Sequence, residues 1–201
     1  SLYHREYLIV VYESDPDALR AAVPEPLNPD GSNTVLYEFI RMPDSSGFGD
    51  YEESGIVIPC KVKDPNTDQE RLINFTAQMY LDCDPPIVGG REVWGFPKKY
   101  AEPRLTVNGD TLTGVLNYAD VNVALATMTY KHNDLTFDRK TGQQKDTSAL
   151  LQGLHKPQCN LKLIQMLTVL CYSSADRVST HGHQFERFLD WTCCLASGAP
   201  R

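Results

Sequence analysis

The stretch RLTVNGDTLTGVLNY, Arg104 to Tyr118, contains Asn-Gly between two runs in which apolar and polar residues alternate. Alternation with a period of two is typical of a strand with one buried face, and Asn-Gly is a dipeptide that two-residue hairpin turns favour. The stretch therefore predicts a β-hairpin whose turn is Asn108-Gly109. Because a hairpin joins antiparallel strands, it also predicts an antiparallel sheet.

Further strand-like segments lie on both sides of this hairpin, and a single short helix interrupts them. The helix is predicted in SDPDALRAAVPEPL, with Ser14 as its N-cap and Pro24 ending it. Two polar stretches, PDSSGFGDYEESG and HNDLTFDRKTGQQKDTSALLQGLHKPQC, are predicted to be loops. We therefore expect an α+β domain that is mostly antiparallel β and barrel-like. The other predicted strands are LYHREYLIVVYES, NTVLYEFIRM, GIVIPCKVK, INFTAQMYLDC and VNVALATMTYKH.

The composition narrows the class of protein. The chain has 201 residues, of which 41% are apolar and 22% charged, and its formal net charge is −7. These values are typical of one globular domain, and the negative charge argues against a nucleic-acid partner. No apolar run approaches the roughly 20 residues that a membrane span needs. We expect a soluble, cytoplasmic protein without a membrane partner.

Two adjacent lysines, Lys98 and Lys99, follow the apolar segment Val93-Trp94-Gly95-Phe96-Pro97. A lysine pair is usually solvated, but aromatic rings here would exclude water from one of them. In an extended segment, successive side chains point to opposite faces, so we expect one lysine to be buried and the other solvated. Burial favours the neutral, nucleophilic form of an amine. The solvated neighbour, at ~8 Å and an effective dielectric of ~20, would contribute at most about 2 kcal/mol, so desolvation should be the larger effect.

Several motifs, in order and at characteristic spacing, resemble the acetoacetate decarboxylase family. They extend from HREY at residues 4–7 to LKLI at residues 161–164, and they include DALRAAVPEPL, YEF, PDSSGFGDYEESG, MYLDC, VGGREVWGFPKK and MTYKH. This family is a known example of a lysine activated by desolvation or by a neighbouring cation. The resemblance implies that Lys98 is the Schiff-base lysine and that Lys99 is its neighbouring cation.

The same resemblance implies three further site residues, Arg5 of HREY, Glu38 of YEF and Glu53 of YEESG. On their residue types alone, Arg5 could equally form a structural ion pair, and the two glutamates could be solvated. In a site without water the two glutamates would transfer protons during imine formation and enamine protonation, and the sequence leaves open which glutamate serves which step. We expect Arg5 to pair with Glu53, because a tight clamp on the substrate carboxylate would oppose its loss as neutral CO2.

The implied reaction is decarboxylation of acetoacetate to acetone and CO2 through a lysine imine. This chemistry requires no metal and no organic cofactor, and the implied partner is a β-keto acid. The family resemblance also implies a homo-oligomer. Two alternatives stay open: aldol or dehydration chemistry on another keto acid through the same imine, and a noncatalytic or inactive family member.

The resemblance ends near Ile164, so we divide the chain into an incomplete family domain, 1–164, and an anomalous tail, 165–201. A second reading frame compatible with Cys171 to Arg201 contains patterns such as QLIEY that resemble the family's C-terminal strands. Our hypothesis is that the tail is translated out of frame and that the family's C-terminal strands are missing. The cluster of His181, His183, Cys193 and Cys194 lies in this tail, so we do not predict a metal site there.

Overall fold

The structure is a computed structural model, and it describes residues 2–63, 68–129, 137–138, 141, 143–144, 158–160, 162–164, 188–190 and 193–194. Within these residues there are two helices, α1 (Pro16–Ala22) and α2 (Asp84–Glu92). Neither has the length and apolar character that crossing a bilayer requires. The strands, in chain order, are β1 (Leu2–Tyr3), β2 (Glu6–Glu13), β3 (Asn28–Pro29), β4 (Thr34–Ser45), β5 (Gly49–Lys63), β6 (Glu70–Leu81), β7 (Lys98–Tyr100), β8 (Glu102–Asn108), β9 (Thr111–Tyr118), β10 (Val121–Thr129), β11 (Phe137–Asp138), β12 (Gln143–Gln144), β13 (Gln158–Cys159), β14 (Lys162–Ile164), β15 (Phe188–Asp190) and β16 (Cys193–Cys194).

The largest sheet is built on the antiparallel strands β2, β4, β5 and β6. β7 and β13 both pair with β6 in the parallel direction. The prediction of a mostly antiparallel α+β fold with few helices is therefore confirmed, with two short parallel pairings added. Closure into a barrel is not seen among the described strands, and it stays a prediction.

The second sheet, β8-β9-β10, packs against one face of the large sheet. Its inward residues Leu105, Leu112 and Leu116 form an apolar cluster with Leu8 and Phe39 of the large sheet. These positions alternate with more exposed ones along β9, as the period of two predicts. Helix α2 packs against the opposite face of the large sheet.

The hairpin predicted at Asn108-Gly109 forms, but its turn lies one residue later. Asn108 pairs with Thr111, so the two turn residues are Gly109 and Asp110. Gly109 has a φ of 61°, and it stands where a type II′ hairpin takes glycine. Asn108 instead joins the strand ladder.

Helix α1 also begins one residue away from its predicted cap. The carboxylate of Asp15 accepts hydrogen bonds from the backbone N–H groups of Asp17 and Ala18, at 2.9 and 3.1 Å, so the N-cap is Asp15 and not Ser14. Both residue types cap helices well, and Pro16 at the first helical position fits the Asp15 cap. The helix buries Leu19 in a cluster with Val35 and Ile58.

Much of the stretch predicted as the loop PDSSGFGDYEESG is strand. β4 continues to Ser45 and β5 begins at Gly49, so only residues 46–48 lie between them. The hydroxyl of Ser45 donates to the carbonyl of Gly49 at 2.8 Å, which closes the turn. The polar residues were misleading because here they pair across a hairpin. Glu53 consequently lies inside a central strand.

Helix α2 is not among the elements predicted from the sequence, and it begins directly after the predicted strand INFTAQMYLDC. Proline is well tolerated in a first helical turn, and an acidic residue there is favourable. α2 has both features at its start. It contributes Ile87 to the apolar cluster on the second face of the large sheet.

The stretch from His132 to Cys159, predicted to be a loop, lies mostly outside the described residues. Within it, β11 and β12 pair with each other, and β13 joins β6. In the predicted anomalous tail, β15 pairs with β14 and β16 pairs with β13. The boundary at 164 and the out-of-frame tail stay predictions.

We predict that Gly114→Ala destabilises the chain. A β-carbon at Gly114 would lie 2.5 Å from Cγ of Phe39, a ring that is buried between the two sheets. The ring would have to leave its place, and overpacking of this kind typically costs about 1–3 kcal/mol. Urea unfolding would measure the loss, with Thr113→Ala, one residue away on the other face of β9, as the control. An equal change in both variants would contradict this explanation.

Candidate active site

Three of the five predicted site residues are brought together by strand register. Ile40 pairs with Glu53 and Glu38 pairs with Gly55, so the two glutamates are diagonal neighbours on one face of β4 and β5. Leu81 pairs with Glu53, and Met79 pairs with Lys98 across β6 and β7. Since every second residue of a strand points the same way, Glu38, Glu53 and Lys98 share the face on which α2 packs.

Lys98 is buried and lies in direct contact with Glu53. Its Nζ donates to Oε1 of Glu53 at 2.8 Å, and the two side chains are only 10% and 6% exposed. Burial favours the neutral forms of both groups, whereas their contact favours the charged forms. The contact joins residues 45 positions apart in the sequence.

Lys99 is exposed, as the alternation of an extended segment predicts. The prediction that one lysine is buried and the other solvated is therefore confirmed. Aromatic rings were predicted to exclude water from the buried lysine. The apolar surface around it is smaller than predicted, because Trp94 is 44% exposed. The aromatic neighbour of the amine is Phe96, whose ring centroid lies 5.4 Å from Nζ of Lys98.

The proton affinity of Glu38 is unusually high for a carboxyl group. The pKa of Glu38 is raised from 4.5 to about 7, mainly by burial and to a smaller extent by the nearby Glu53 carboxylate. A carboxyl group in this range holds a proton for part of the time near neutral pH. Glu38 can therefore act as an acid where an ordinary glutamate could not.

Arg5 lies near this face but does not pair with Glu53. Its guanidinium carbon lies 5.7 Å from the ring centroid of Tyr7, and Arg5 itself is exposed. The ion-pair partner of Glu53 is Lys98, so the expected Arg5–Glu53 contact is wrong. The physical reason is geometric: β7 runs beside β6 and brings Lys98 to Glu53, while Arg5 precedes β2 at the far side of β4.

Two tyrosines complete the site, and sequence reasoning missed both. Burial raises the pKa of Tyr7, Arg5 lowers it, and Glu38 and Glu53 raise it. Burial, followed by the Glu53 charge, also raises the pKa of Tyr51. Tyr7 stands two residues after Arg5 and Tyr51 two residues before Glu53, so the period of two could have found them.

Glu52, the neighbour of Glu53 in the chain, is buried on the opposite face of β5. Its Oε1 accepts from the backbone N–H of Leu105 at 3.3 Å, and its Oε2 accepts from Arg104 at 3.3 Å. The carboxylate of Asp82 accepts from Arg104 and from the backbone N–H of Glu52. These bonds tie β5 to β8 immediately beside Glu53, and so hold the strand that carries it.

Comparison with known proteins identifies the family of the chain. The family model described as acetoacetate decarboxylase matches residues 1–175 of the chain. The chain belongs to the acetoacetate decarboxylase family.

Named acetoacetate decarboxylases are close in sequence. The chain is 52% identical over 149 residues to the acetoacetate decarboxylase of Paraburkholderia phytofirmans, covering 74% of this chain and 56% of that protein. It is 48% identical over 161 residues to that of Chromobacterium violaceum, covering 80% and 58%. The chain thus spans less than two thirds of the length of these relatives.

Solved acetoacetate decarboxylase structures share the fold. The enzyme of Legionella pneumophila superposes with a TM-score of 0.67 at 44% identity, over 83% of this chain and 60% of that one. A more distant structure, the enduracididine biosynthesis enzyme MppR complexed with the condensation product of pyruvate and imidazole 4-carboxaldehyde, has a TM-score of 0.59 at 21% identity, over 81% and 63%. The same fold therefore occurs in a structure of low sequence identity.

Proposed function

We propose that this chain has the site of an enzyme that decarboxylates a β-keto acid of the acetoacetate class through an imine at Lys98. The observation that carries the proposal is the buried 2.8 Å contact between Nζ of Lys98 and Glu53, with Glu38 on the same face. The family membership supports it. An amine, a proton acceptor and a proton donor in one dry site are the groups that imine chemistry needs.

The first step is a proton transfer within the buried pair. Lys98 must be neutral before its nitrogen can attack a carbonyl, and Glu53 is placed to accept the proton. Transfer converts an ammonium–carboxylate pair into an amine and a carboxylic acid without changing the net charge. Burial favours this neutral pair, because desolvation penalises both charged groups.

The amine then adds to the ketone carbon, and loss of water gives a protonated imine. The electrons of the bond between the α-carbon and the carboxylate move toward the imine nitrogen, CO2 departs, and an enamine remains. Protonation of the enamine carbon and hydrolysis of the new imine release acetone and regenerate Lys98. In the net reaction, acetoacetate and one proton give acetone and CO2. Glu38, with its pKa near 7, is the group we assign to donate the proton to carbon.

Arg5 and Lys99 act in this proposal through charge alone. Both side chains are exposed, so neither forms a tight clamp on the carboxylate that is to be lost. In a chain of net charge −7, cations near the site would offset repulsion of an anionic substrate. Holding the carboxylate loosely avoids stabilising the ground state more than the transition state.

The test is trapping of the imine by reduction. Incubation of the chain with acetoacetate and borohydride should add an isopropyl group to the peptide that contains Lys98, as measured by mass spectrometry. Acetone should give the same adduct, because the imine that hydrolyses to release acetone also forms when acetone reacts with free Lys98. A chain that releases CO2 from acetoacetate without acquiring this adduct would refute the imine.

A second candidate is condensation or dehydration chemistry on another keto acid through the same lysine. The MppR structure of this fold, which holds a condensation product of pyruvate, is consistent with it. Incubation with pyruvate and an aldehyde separates the decarboxylase from a condensing enzyme, since only the latter would form a carbon–carbon bond. A noncatalytic chain would acquire no adduct with either substrate. Homo-oligomer assembly and a cytoplasmic location stay predictions.

A further inference from the structure

Helix α2 meets the side chain of Lys98 at a glycine. A β-carbon on Gly90 would lie 2.5 Å from Cδ, 2.8 Å from Cε and 3.3 Å from Nζ of Lys98. Carbon atoms in van der Waals contact are about 3.5–4.0 Å apart, so no other residue fits at this position while Lys98 stays in place. Lys98 thus lies along the bare backbone of the helix on its way to Glu53.

The backbone at Gly90 is hydrogen-bonded to the segment that follows α2. The carbonyl of Gly90 accepts from the backbone N–H of Phe96 at 3.0 Å, and the N–H of Lys98 donates to the carbonyl of Phe96 at 2.8 Å. The helix and the segment that leads into β7 are therefore tied to each other. By contrast, the clashing atoms of Lys98 belong to the end of a flexible chain. An added methyl group would displace the amine and leave the helix where it is.

The neighbouring glycine provides a contrast. A β-carbon on Gly89, one position earlier in α2, would have no atom within 4 Å. Both glycines lie inside the same helix, where glycine is less favourable than alanine. Glycine therefore lowers helix stability at both positions. Of the two, only Gly90 has a neighbour, Lys98, that leaves no room for a side chain.

We propose that Gly90 is a positioning residue for Lys98. Its missing side chain leaves the space through which the amine reaches Glu53, and any larger residue moves the amine off the carboxylate. This inference rests on the proposed imine function for its catalytic consequence. Its structural content, the contact between Lys98 and Glu53, is independent of that function.

The primary experiment compares Gly90→Ala with Gly89→Ala in the full chain. Misplacing a reacting group by about 1 Å can slow a reaction roughly 100-fold, so we expect borohydride trapping at Lys98 to slow by about that factor in Gly90→Ala. Gly89→Ala should be trapped at the wild-type rate and should melt at the same or a higher temperature. Equal trapping rates in the two variants would overturn the proposal.

A double-mutant cycle with Glu53→Gln distinguishes positioning from a general loss of structure. In the wild-type background, Glu53→Gln should slow trapping, because the acceptor of the lysine proton is gone. In the Gly90→Ala background it should have little further effect, because the amine has already left Glu53. A further slowing as large as in the wild type would refute the positioning role.

The same cycle can be measured by urea unfolding, which requires no catalysis. If Gly90 positions Lys98, Glu53→Gln will shift the unfolding midpoint differently in the wild-type and Gly90→Ala backgrounds, and equal shifts would overturn the inference. Absence of any adduct in the wild-type chain would refute the proposed function, and the unfolding cycle would still decide the role of Gly90.

Discussion

Lys98→Ala will abolish both decarboxylation and reductive trapping. The variant has no amine with which to form the imine, so the electrons released by C–C cleavage have only the ketone, which is a poorer acceptor than a protonated imine. Removing the nucleophile of another covalent enzyme lowers kcat by about a millionfold, and we expect a loss on that scale. CO2 release from acetoacetate and the mass of the Lys98 peptide are the measurements.

The matched control is Lys99→Ala, the adjacent cation on the exposed side of the same strand. Trapping should remain measurable in this variant, because burial is expected to affect the amine more than a solvated neighbouring charge does. An equal loss in Lys98→Ala and Lys99→Ala would show that this ranking is wrong.

Folding of Lys98→Ala needs its own control. Removing one partner of a buried ion pair typically costs about 3–5 kcal/mol, since the other charge is left without compensation. In Lys98→Ala, Glu53 would keep its buried charge but lose Lys98 as its ion-pair partner. The double variant Lys98→Ala/Glu53→Gln removes both charges, and it should recover stability while remaining inactive. Recovery of activity in the double variant would contradict the role of Lys98.

Glu38→Gln will stabilise the chain at pH 8 and leave its stability nearly unchanged at pH 4. The pKa of Glu38 is raised to about 7 in the folded state, above its ordinary 4.5, so the folded chain binds this proton more tightly than the unfolded chain does. Stability from this group is therefore complete below the ordinary pKa, and it is lost as the pH rises toward and through 7. The full difference at pH 8 is about 3 kcal/mol, and glutamine avoids it because it carries no charge.

Urea unfolding at pH 4, 6 and 8 measures this effect. Glu102→Gln, an exposed carboxylate on β8, should change stability by less than about 0.5 kcal/mol throughout. A gain of equal size at pH 4 and pH 8 would show that charge burial is not the cause. The same variant should turn over more slowly, because an amide cannot donate the proton that we assign to Glu38. Stability and activity are then expected to change in opposite directions.

Local pattern was the most reliable guide to the site. The alternation of side chains in an extended segment correctly separated Lys98 from Lys99, and the same rule places Tyr7 with Arg5 and Tyr51 with Glu53. Sequence pattern was less reliable for the exact position of the hairpin turn. Asn108-Gly109 is a good hairpin dipeptide, yet the turn is Gly109-Asp110, because pairing of the flanking strands sets the register.

Polar composition was the weakest guide. Tyr51, Glu52 and Glu53 follow a run of Asp, Ser and Gly, and that run predicted a loop through all of them. They lie instead in β5, where Glu52 accepts hydrogen bonds from β8 and Glu53 accepts one from Lys98. Charged residues are acceptable in a central strand when each has such a partner. Those partners are about 50 residues away, so no short window of sequence contains them.

Where the sequence predicted an extended segment, it also predicted which side chains share a face, because that property depends on the period of the extended backbone. Through the family's motifs, it also predicted that Lys98, Glu38 and Glu53 belong to one site. Only the tertiary structure decided that Glu53 is bonded to Lys98 and not to Arg5, and that a glycine of α2 leaves room for that contact. Strand order and helix packing join residues far apart in the chain, and the energy of those contacts exists only once the chain has folded.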